Sequence, residues 1–390
     1  MSEMLQPRGP LVCVVGARPN YMKMAPLIRA FGARRDLPAV ALVHTGQHYD
    51  VAMNERLFID LELPPPDLNL EVGSGSHAAQ TAETMRRFEP VLDGLAPSCV
   101  IVVGDVNSTL ACSLVASKKL VPVVHVEAGL RSYDRSMPEE INRVLTDQIA
   151  DLLYTTERRA AENLAREGIA PERVCFVGNV MIDSLLRHRQ HAVEPRKTLA
   201  LEGVPEGFID DAKGFGVVTL HRPSNVDDPA ALREALMILA DVAARLPLIW
   251  AVHPRTRINI ESFGLSSLVT RARIALLPPQ GYLEMLGLLA GARLVLTDSG
   301  GIQEETTSLA VPCLTMRDNT ERPITVDEGT NTLVGRDSNR IRACVDDICR
   351  TGGKRGRLPE LWDGMAANRI AEHLAGWLSR RDVRHTVSRP

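Results

Sequence analysis

Residues 11–46 read LVCVVGARPNYMKMAPLIRAFGARRDLPAVALVHTG. The opening run, 11–16, is short, apolar and rich in valine. Residues 22–35 then carry apolar side chains at helical spacing, and 40–46 return to a short apolar run that ends in His44-Thr45-Gly46. Each run is strand-sized and apolar enough to be covered on both faces, and a helix-sized stretch separates the two. That is the pattern of a strand–helix–strand unit with parallel strands. Working outward, the same kind of run recurs at 99–105, 121–127, 152–156 and 174–178, then at 216–221, 248–254, 274–279, 293–298, 312–316 and 332–335. Amphipathic stretches stand between many of them, among them 77–95, 137–150 and 229–246. The alternation predicts parallel sheets wrapped by helices. A chain of 390 residues is too long for one ordinary core. The twelve runs divide into six and six near residues 179–196, so the fold class is α/β with two doubly wound, Rossmann-like domains. Residues 64–66 and 73–76 read as loops.

Composition narrows the function classes. Apolar residues make up 45% and charged residues 24%, and the formal net charge is −3. No general nucleic-acid surface is implied, and no apolar run reaches the roughly 18–20 residues of a membrane span. Residues 1–10 lack the layout of a secretory signal; they and residues 379–390 read as frayed tails. The seven cysteines (Cys13, Cys99, Cys112, Cys175, Cys313, Cys344, Cys349) are scattered and form no CxxC pair. They read as buried, reduced thiols of a cytoplasmic protein, and no Cys/His cluster has metal-ligand spacing, so no metal is expected.

In open α/β sheets ligands bind at the carboxyl ends of strands, and here those ends are unusually ionisable. They include Gly16-Ala17-Arg18, His44 to His48, Gly104-Asp105, His125-Val126-Glu127, His221-Arg222, His253-Pro254-Arg255 and Asp298-Ser299-Gly300-Gly301. In 297–305 a strand ends, two glycines follow and a helix begins, an arrangement that suits a phosphate. Ser299 could cap that helix. Glu305, about one turn in, could hold two ribose hydroxyls, and Arg322 is a candidate phosphate clamp. The alternative for this segment is a plain strand–helix turn. Asp105, Glu127 and Glu139 are candidate acid–base carboxylates that would raise one another's pKa in a closed site. Asp105 and Glu139 could instead be helix-capping groups, whereas Glu127 at the end of an apolar strand has little structural reason to be there. His221 and His253 supply cationic options. No GxGxxG follows any strand, so a nicotinamide dinucleotide is disfavoured.

These residues sit in segments that resemble the non-hydrolysing UDP-N-acetylglucosamine 2-epimerase family. The matching segments are Gly16-Ala-Arg-Pro-Asn-Tyr-Met-Lys-Met-Ala-Pro26, Gly104-Asp-Val-Asn-Ser108, His125-Val-Glu-Ala-Gly-Leu-Arg131 and Met137-Pro-Glu-Glu-Ile-Asn-Arg143. They continue with Val177-Gly-Asn-Val-Met-Ile-Asp183, His221-Arg222, 297–305 and Thr320-Glu-Arg-Pro323, and together run from about residue 11 to about 335. The resemblance implies a glycosyltransferase-B-like fold with a ligand cleft between two Rossmann-like domains. The expected domains are 1–180 with 366–390 packing back on it, and 181–365; a terminal helix over 361–378 makes the return. It implies a cofactor-free isomerase of UDP-GlcNAc and UDP-ManNAc that eliminates UDP to 2-acetamidoglucal and adds it back. By position, Asp105, Glu127, Glu139 and His221 are the implied catalytic residues. Arg18 and Lys23 match the basic pair near the phosphates, and Ser299, Gly300, Gly301, Glu305 and Arg322 match the UDP contacts. Arg143 and His253 join the implied substrate-binding set. A UDP-sugar partner, a homodimer and no nucleic-acid or membrane partner are also implied. Two alternatives share most of these residues: a 2-epimerase of a diacetamido or uronic-acid sugar nucleotide, and a hydrolysing enzyme that releases ManNAc and UDP.

Overall fold

The structure, a computed structural model, describes residues 9–46, 51–209 and 212–387. It divides into two compact units, Met1–Ser184 with Glu360–Pro390, and Leu185–Pro359. We call them the first and second units.

The first unit is built on a parallel sheet of β1 (Leu11–Val15), β2 (Val40–His44), β3 (Leu68–Asn69), β4 (Cys99–Val103), β5 (Val123–Ala128), β6 (Leu152–Thr155) and β7 (Val174–Phe176), in spatial order β3-β2-β1-β4-β5-β6-β7. Every residue of β1 and β4 is buried, as a central strand covered on both faces requires. At roughly 1.5–3 kcal/mol for each large apolar side chain removed from water, these valines and leucines dominate the folding free energy.

All twelve expected runs are strands. The additional β3 is two residues long and pairs with β2 through Val43↔Leu68; an exposed two-residue strand leaves no periodicity to read. The first helix, Arg18–Gly32, starts four residues ahead of the expected 22–35. Its N-terminus is set by Asn20, whose side-chain oxygen accepts from the Gly16 and Ala17 N–H groups at 3.1 Å each.

The last helix, Ala366–Val387, belongs to the first unit. Its first two N–H groups donate to Asp183, at 3.2 and 2.7 Å. The Tyr154 hydroxyl meets His373 Nδ1 at 3.1 Å, and fully buried Trp362 donates from Nε1 to the Thr156 carbonyl at 3.1 Å. Residues 379–387 are therefore helix and not the expected frayed tail. No glycine or proline interrupts them, and once a helix is nucleated each further residue adds a hydrogen bond. Residues 1–8 of the other expected tail lie outside the described residues, while Gly9 and Pro10 bond to Ser98.

The second unit carries β8 (Gly216–Thr219), β9 (Leu248–Ala251), β10 (Ile274–Leu277), β11 (Leu294–Thr297), β12 (Cys313–Thr315) and β13 (Asn331–Leu333), all parallel in the order β10-β9-β8-β11-β12-β13. Its core packs the helix Pro229–Ala243 against one sheet face through Leu232, Leu236 and Leu239, around fully buried Trp250.

All seven cysteines are free; Cys175, Cys344 and Cys349 are only partly buried, the other four fully. Among the described residues no helix is long and apolar enough to cross a membrane.

Both sheets reverse their strand order once. The reversal falls between β1 and β4 in the first unit and between β8 and β11 in the second. At such a point the loops leaving the two strands diverge and open a crevice at their carboxyl ends.

Candidate active site

At the reversal of the first unit, Asn20 also donates from Nδ2 to the Val103 carbonyl at 3.1 Å. One side chain thus ties the loop after β1 to the end of β4. Arg18, half-buried, is the first residue of the helix this arrangement starts.

Asp105 follows Gly104, whose φ of +66° is left-handed. The helix that begins at Asn107 has Val106 at its cap and no side-chain cap bond, so the capping role open to Asp105 is not the one it takes. Its carboxylate pairs with buried Arg143, which reaches Oδ2 with Nε at 3.2 Å and with Nη2. Asn142 Nδ2 donates to the Asp105 carbonyl at 2.9 Å.

Glu127 has the least ordinary backbone of the set. It lies where the β5–β6 register shifts, between Val126 and Ala128, and its φ is +72°. A non-glycine residue in this region is strained, and a bulge re-aims a side chain that a regular strand would bury in the sheet face. The carboxylate, buried with Lys23, has Lys23 Nζ 2.7 Å from both oxygens.

The third carboxylate, Glu139, is half-buried in the first turn of the helix Pro138–Ile149 and makes no side-chain hydrogen bond or ion pair with the described residues. Its neighbour Glu140 is the buried one. It accepts from Ser132 N–H at 3.0 Å, Ser132 Oγ at 2.8 Å and Tyr133 N–H at 2.8 Å, and it pairs with Arg143. Glu140 therefore pins the loop that leaves β5.

Sequence reasoning assigned Lys23 and Arg143 to the substrate; the structure pairs both cations with carboxylates. Asp105 and Glu127 each meet a cation, Arg143 and Lys23 respectively. Glu140, Asn142 and Asp147 were missed. The signal for Glu140 and Asp147 was a polar residue every turn on one face of a helix, at positions 140, 143 and 147; Asn142 stands one residue off that row.

At the reversal of the second unit, Thr219 and Thr297 are neighbours across β8 and β11, so His221 and Asp298 leave the sheet side by side. Asp298 is fully buried. It accepts from the His221 N–H at 3.0 Å, the Arg222 N–H at 2.9 Å and Asn225 Nδ2 at 3.0 Å, and its Oδ1 lies 3.0 Å from His221 Nδ1. Burial opposes its charge, but His221, Asn225 and the Arg222 N–H outweigh burial and hold the Asp298 carboxyl below its ordinary value. A charged Asp298 accepts from Nδ1, which orients the imidazole and leaves Nε2 of the half-exposed ring unclaimed by the aspartate. The orienting role of Asp298 was not foreseen, because it depends on which strands are neighbours.

Ser299 stands at the N-cap of the helix Gly300–Leu309, but its hydroxyl makes no cap bond. At Gly300 a Cβ would stand 2.3 Å from Glu321 Oε1. The missing side chain thus admits Glu321, which is held by Arg317 Nη2 at 2.8 Å. Gly301 follows, half-buried in the first turn. Arg322 is buried, with Nε 3.2 Å from Glu304 Oε1. Glu305 is buried too, and burial, with Glu304 beside it, pushes its pKa up to about 8. A protonated or hydroxyl-bonded carboxyl fits that position better than a bare anion. His253 is at the N-cap of the helix Pro254–Ser262, where Nδ1 accepts from the Arg255 N–H at 3.3 Å; the structure gives it a capping bond. Gln47 and His48 lie outside the described residues.

The geometry now has two parts. One holds carboxylates beside cations on a strained strand end. The other holds an oriented imidazole beside a glycine-rich helix start and several arginines. The family model described as UDP-N-acetylglucosamine 2-epimerase matches residues 33–375. The UDP-N-acetylglucosamine 2-epimerase of Methanocaldococcus jannaschii is 42% identical over 93% of this chain and 98% of its own. The UDP-2,3-diacetamido-2,3-dideoxy-D-glucuronate 2-epimerase of Pseudomonas aeruginosa is 39% identical over 94% and 99%. A crystal structure of the Methanocaldococcus jannaschii enzyme in complex with UDP-GlcNAc and UDP superposes with a TM-score of 0.86, covering 94% of this chain and 99% of that one. The chain belongs to the UDP-N-acetylglucosamine 2-epimerase family.

Proposed function

We propose that the protein interconverts UDP-GlcNAc and UDP-ManNAc without hydrolysis. The C2 proton of the sugar is only weakly acidic. Breaking the C1–O bond to UDP makes C1 electron-poor and allows C2–H to be taken by a carboxylate. The bonding pair of C2–H becomes the C1=C2 bond of 2-acetamidoglucal, and the C1–O pair leaves with UDP. In the return step a carboxyl group protonates C2 from the opposite face and the β-phosphate oxygen of UDP re-forms the bond to C1. Atoms and charge balance without an external oxidant or cofactor.

Glu127, Asp105 and Glu139 are the proton-transfer groups in this reading, with Lys23 and Arg143 holding two of them in the charged form between transfers. His221, oriented by Asp298, assists the departing diphosphate. Arg18, Ser299, Gly300, Gly301, Glu305 and Arg322 serve the nucleotide, and donors near the leaving phosphate act where negative charge grows in the transition state. The observation that carries the proposal is Glu127: a strained backbone at a strand bulge, aiming a lysine-paired carboxylate away from the regular strand direction.

The diacetamido relative, at 39% identity, supports a second reading in which the sugar is a diacetamido uronate. Family membership further supports a cytoplasmic homodimer, which light scattering on the purified protein tests. Chromatography of separate incubations with the two sugar nucleotides decides the substrate. A UDP-ManNAc peak without free sugar supports the first reading, and turnover of the diacetamido substrate alone replaces it with the second. Free ManNAc with UDP would make the enzyme a hydrolase of the same family.

A further inference from the structure

The buried charges of the first unit extend beneath the groups already described. His125, in β5, is fully buried, and both ring nitrogens are engaged. Nδ1 lies 2.7 Å from Asp147 Oδ1, and Nε2 lies 2.8 Å from the Gly104 carbonyl oxygen. A carbonyl oxygen only accepts, so Nε2 carries a hydrogen and donates it. Asp147 is equally buried. Its Oδ2 accepts from the Gly129 N–H at 3.0 Å and faces Arg131 Nη1 at 2.7 Å. Burial opposes the charged form of Asp147, but His125 and Arg131 outweigh it and hold the carboxyl below its ordinary range. Asp147 is therefore an acceptor throughout, and His125 Nδ1 donates to it. Arg131 is in turn held by Glu167, with Nε–Oε1 at 2.8 Å and Nη2–Oε2 at 2.6 Å.

The anchor points of this cluster lie on the three segments that carry the acid–base carboxylates. Gly104 immediately precedes Asp105. Gly129 is two residues beyond Glu127. Asp147 is in the same helix as Glu139. Gly104, Glu127 and Gly129 have φ of +66°, +72° and +79°, so β4 and β5 leave regular strand geometry where the carboxylates stand. The backbone still ties Gly104 to β5 through its N–H, which donates to the Val126 carbonyl at 3.1 Å; the His125–Asp147 pair adds a bond to the Gly104 carbonyl and one to the Gly129 N–H. The fold alone does not ask for these charges, since well-packed apolar residues commonly replace a buried ion pair with no loss of stability.

We propose that His125 and Asp147 are positioning residues for proton transfer at C2, setting the spacing of Asp105, Glu127 and Glu139 by holding the Gly104 carbonyl and the Gly129 N–H. The inference rests on the epimerase reading above. Neither residue touches substrate; each acts through the backbone that carries a carboxylate, where a misplacement of about 1 Å can cost on the order of 100-fold in rate.

The test uses full-length His125→Gln and Asp147→Asn with UDP-GlcNAc and with the same substrate deuterated at C2. The expected result is a kcat lower by about 30- to 100-fold, a KM and a UDP affinity within about threefold of wild type, and a larger C2 isotope effect on kcat. Misfolding of part of the sample would lower kcat by the inactive fraction and leave the isotope effect at its wild-type value. That outcome, or an unchanged kcat, overturns the proposal. A wild-type protein that leaves both sugar nucleotides untouched defeats the epimerase reading instead. Should neither variant fold, nitrogen NMR of histidine-labelled wild-type protein decides. A slowly exchanging hydrogen on His125 Nε2 is required, and a bare Nε2 overturns the geometry.

Discussion

The two sheets reverse strand order in the same way, yet their reversal points are furnished differently. In the first unit the strand ends carry carboxylates, each laid against a cation: Asp105 on Arg143 and Glu127 on Lys23. The backbone there is strained at Glu127 and turns left-handed at two flanking glycines. In the second unit one of the buried carboxylates, Asp298, gathers two backbone N–H groups, an asparagine and an imidazole, and the helix that follows opens on Gly300-Gly301. Topology opens a crevice at the reversal point of each sheet, and residue type then decides what each can do. In the proposed reaction the paired carboxylates move protons, while the oriented histidine, the helix start and the arginines hold an anion.

The sharpest way to break this division is to remove one member from each side and ask whether the losses differ in kind. Glu127→Gln keeps the shape and removes the base. We expect kcat to fall by about a thousandfold with UDP affinity nearly unchanged, as measured by steady-state kinetics beside calorimetric UDP titration. A comparable loss of UDP affinity would mean that the first unit is not a proton-transfer site. Asp298→Asn should cost about 100-fold in kcat, because the amide can present its N–H to His221 and misorient the ring; a wild-type pH–rate profile in this variant would remove His221 from the chemistry. Arg322→Ala should act mainly on binding, raising the UDP dissociation constant about tenfold. An effect on kcat alone would contradict its place on the anion side.

Much of this division was legible in the sequence, and the limits have physical causes. The strands could be read because parallel strands covered on both faces are continuous apolar runs, as 99–103 and 294–297 are. β3 could not, since Leu68–Asn69 is too short to show a period. Glu127 and His221 stood out as ionisable ends of apolar runs. Asp298 was visible as a residue but not as the partner of His221, because that requires knowing that β8 and β11 are neighbours. Glu139 and Glu140 are adjacent in sequence, but a helix turns them about 100° apart, so one is buried on Arg143 and the other is not. Lys23 shows the same limit. A motif names the lysine, and only the fold reveals the carboxylate it meets.

The smallest expected effect concerns Glu305, whose carboxyl burial raises to about 8 from an ordinary 4.5. The folded state keeps a proton that the unfolded chain releases, so stability falls as pH rises through the window from 4.5 to 8 and levels above it. Glu305→Gln has no such proton to lose. Its melting temperature should gain on wild type across that window and exceed it by a few degrees at the alkaline end. Parallel melting curves would place Glu305 in a solvated site.

In the proposed reaction the protein breaks and re-forms the C2–H bond of a UDP-sugar using its own carboxylates. Proton NMR of the purified protein with UDP-GlcNAc in D₂O, without added metal or nicotinamide, tests it most directly. The expected result is loss of the C2 proton signal, appearance of UDP-ManNAc carrying deuterium at C2, and almost no free sugar. UDP-ManNAc that retains the original C2 hydrogen in bulk D₂O would contradict it.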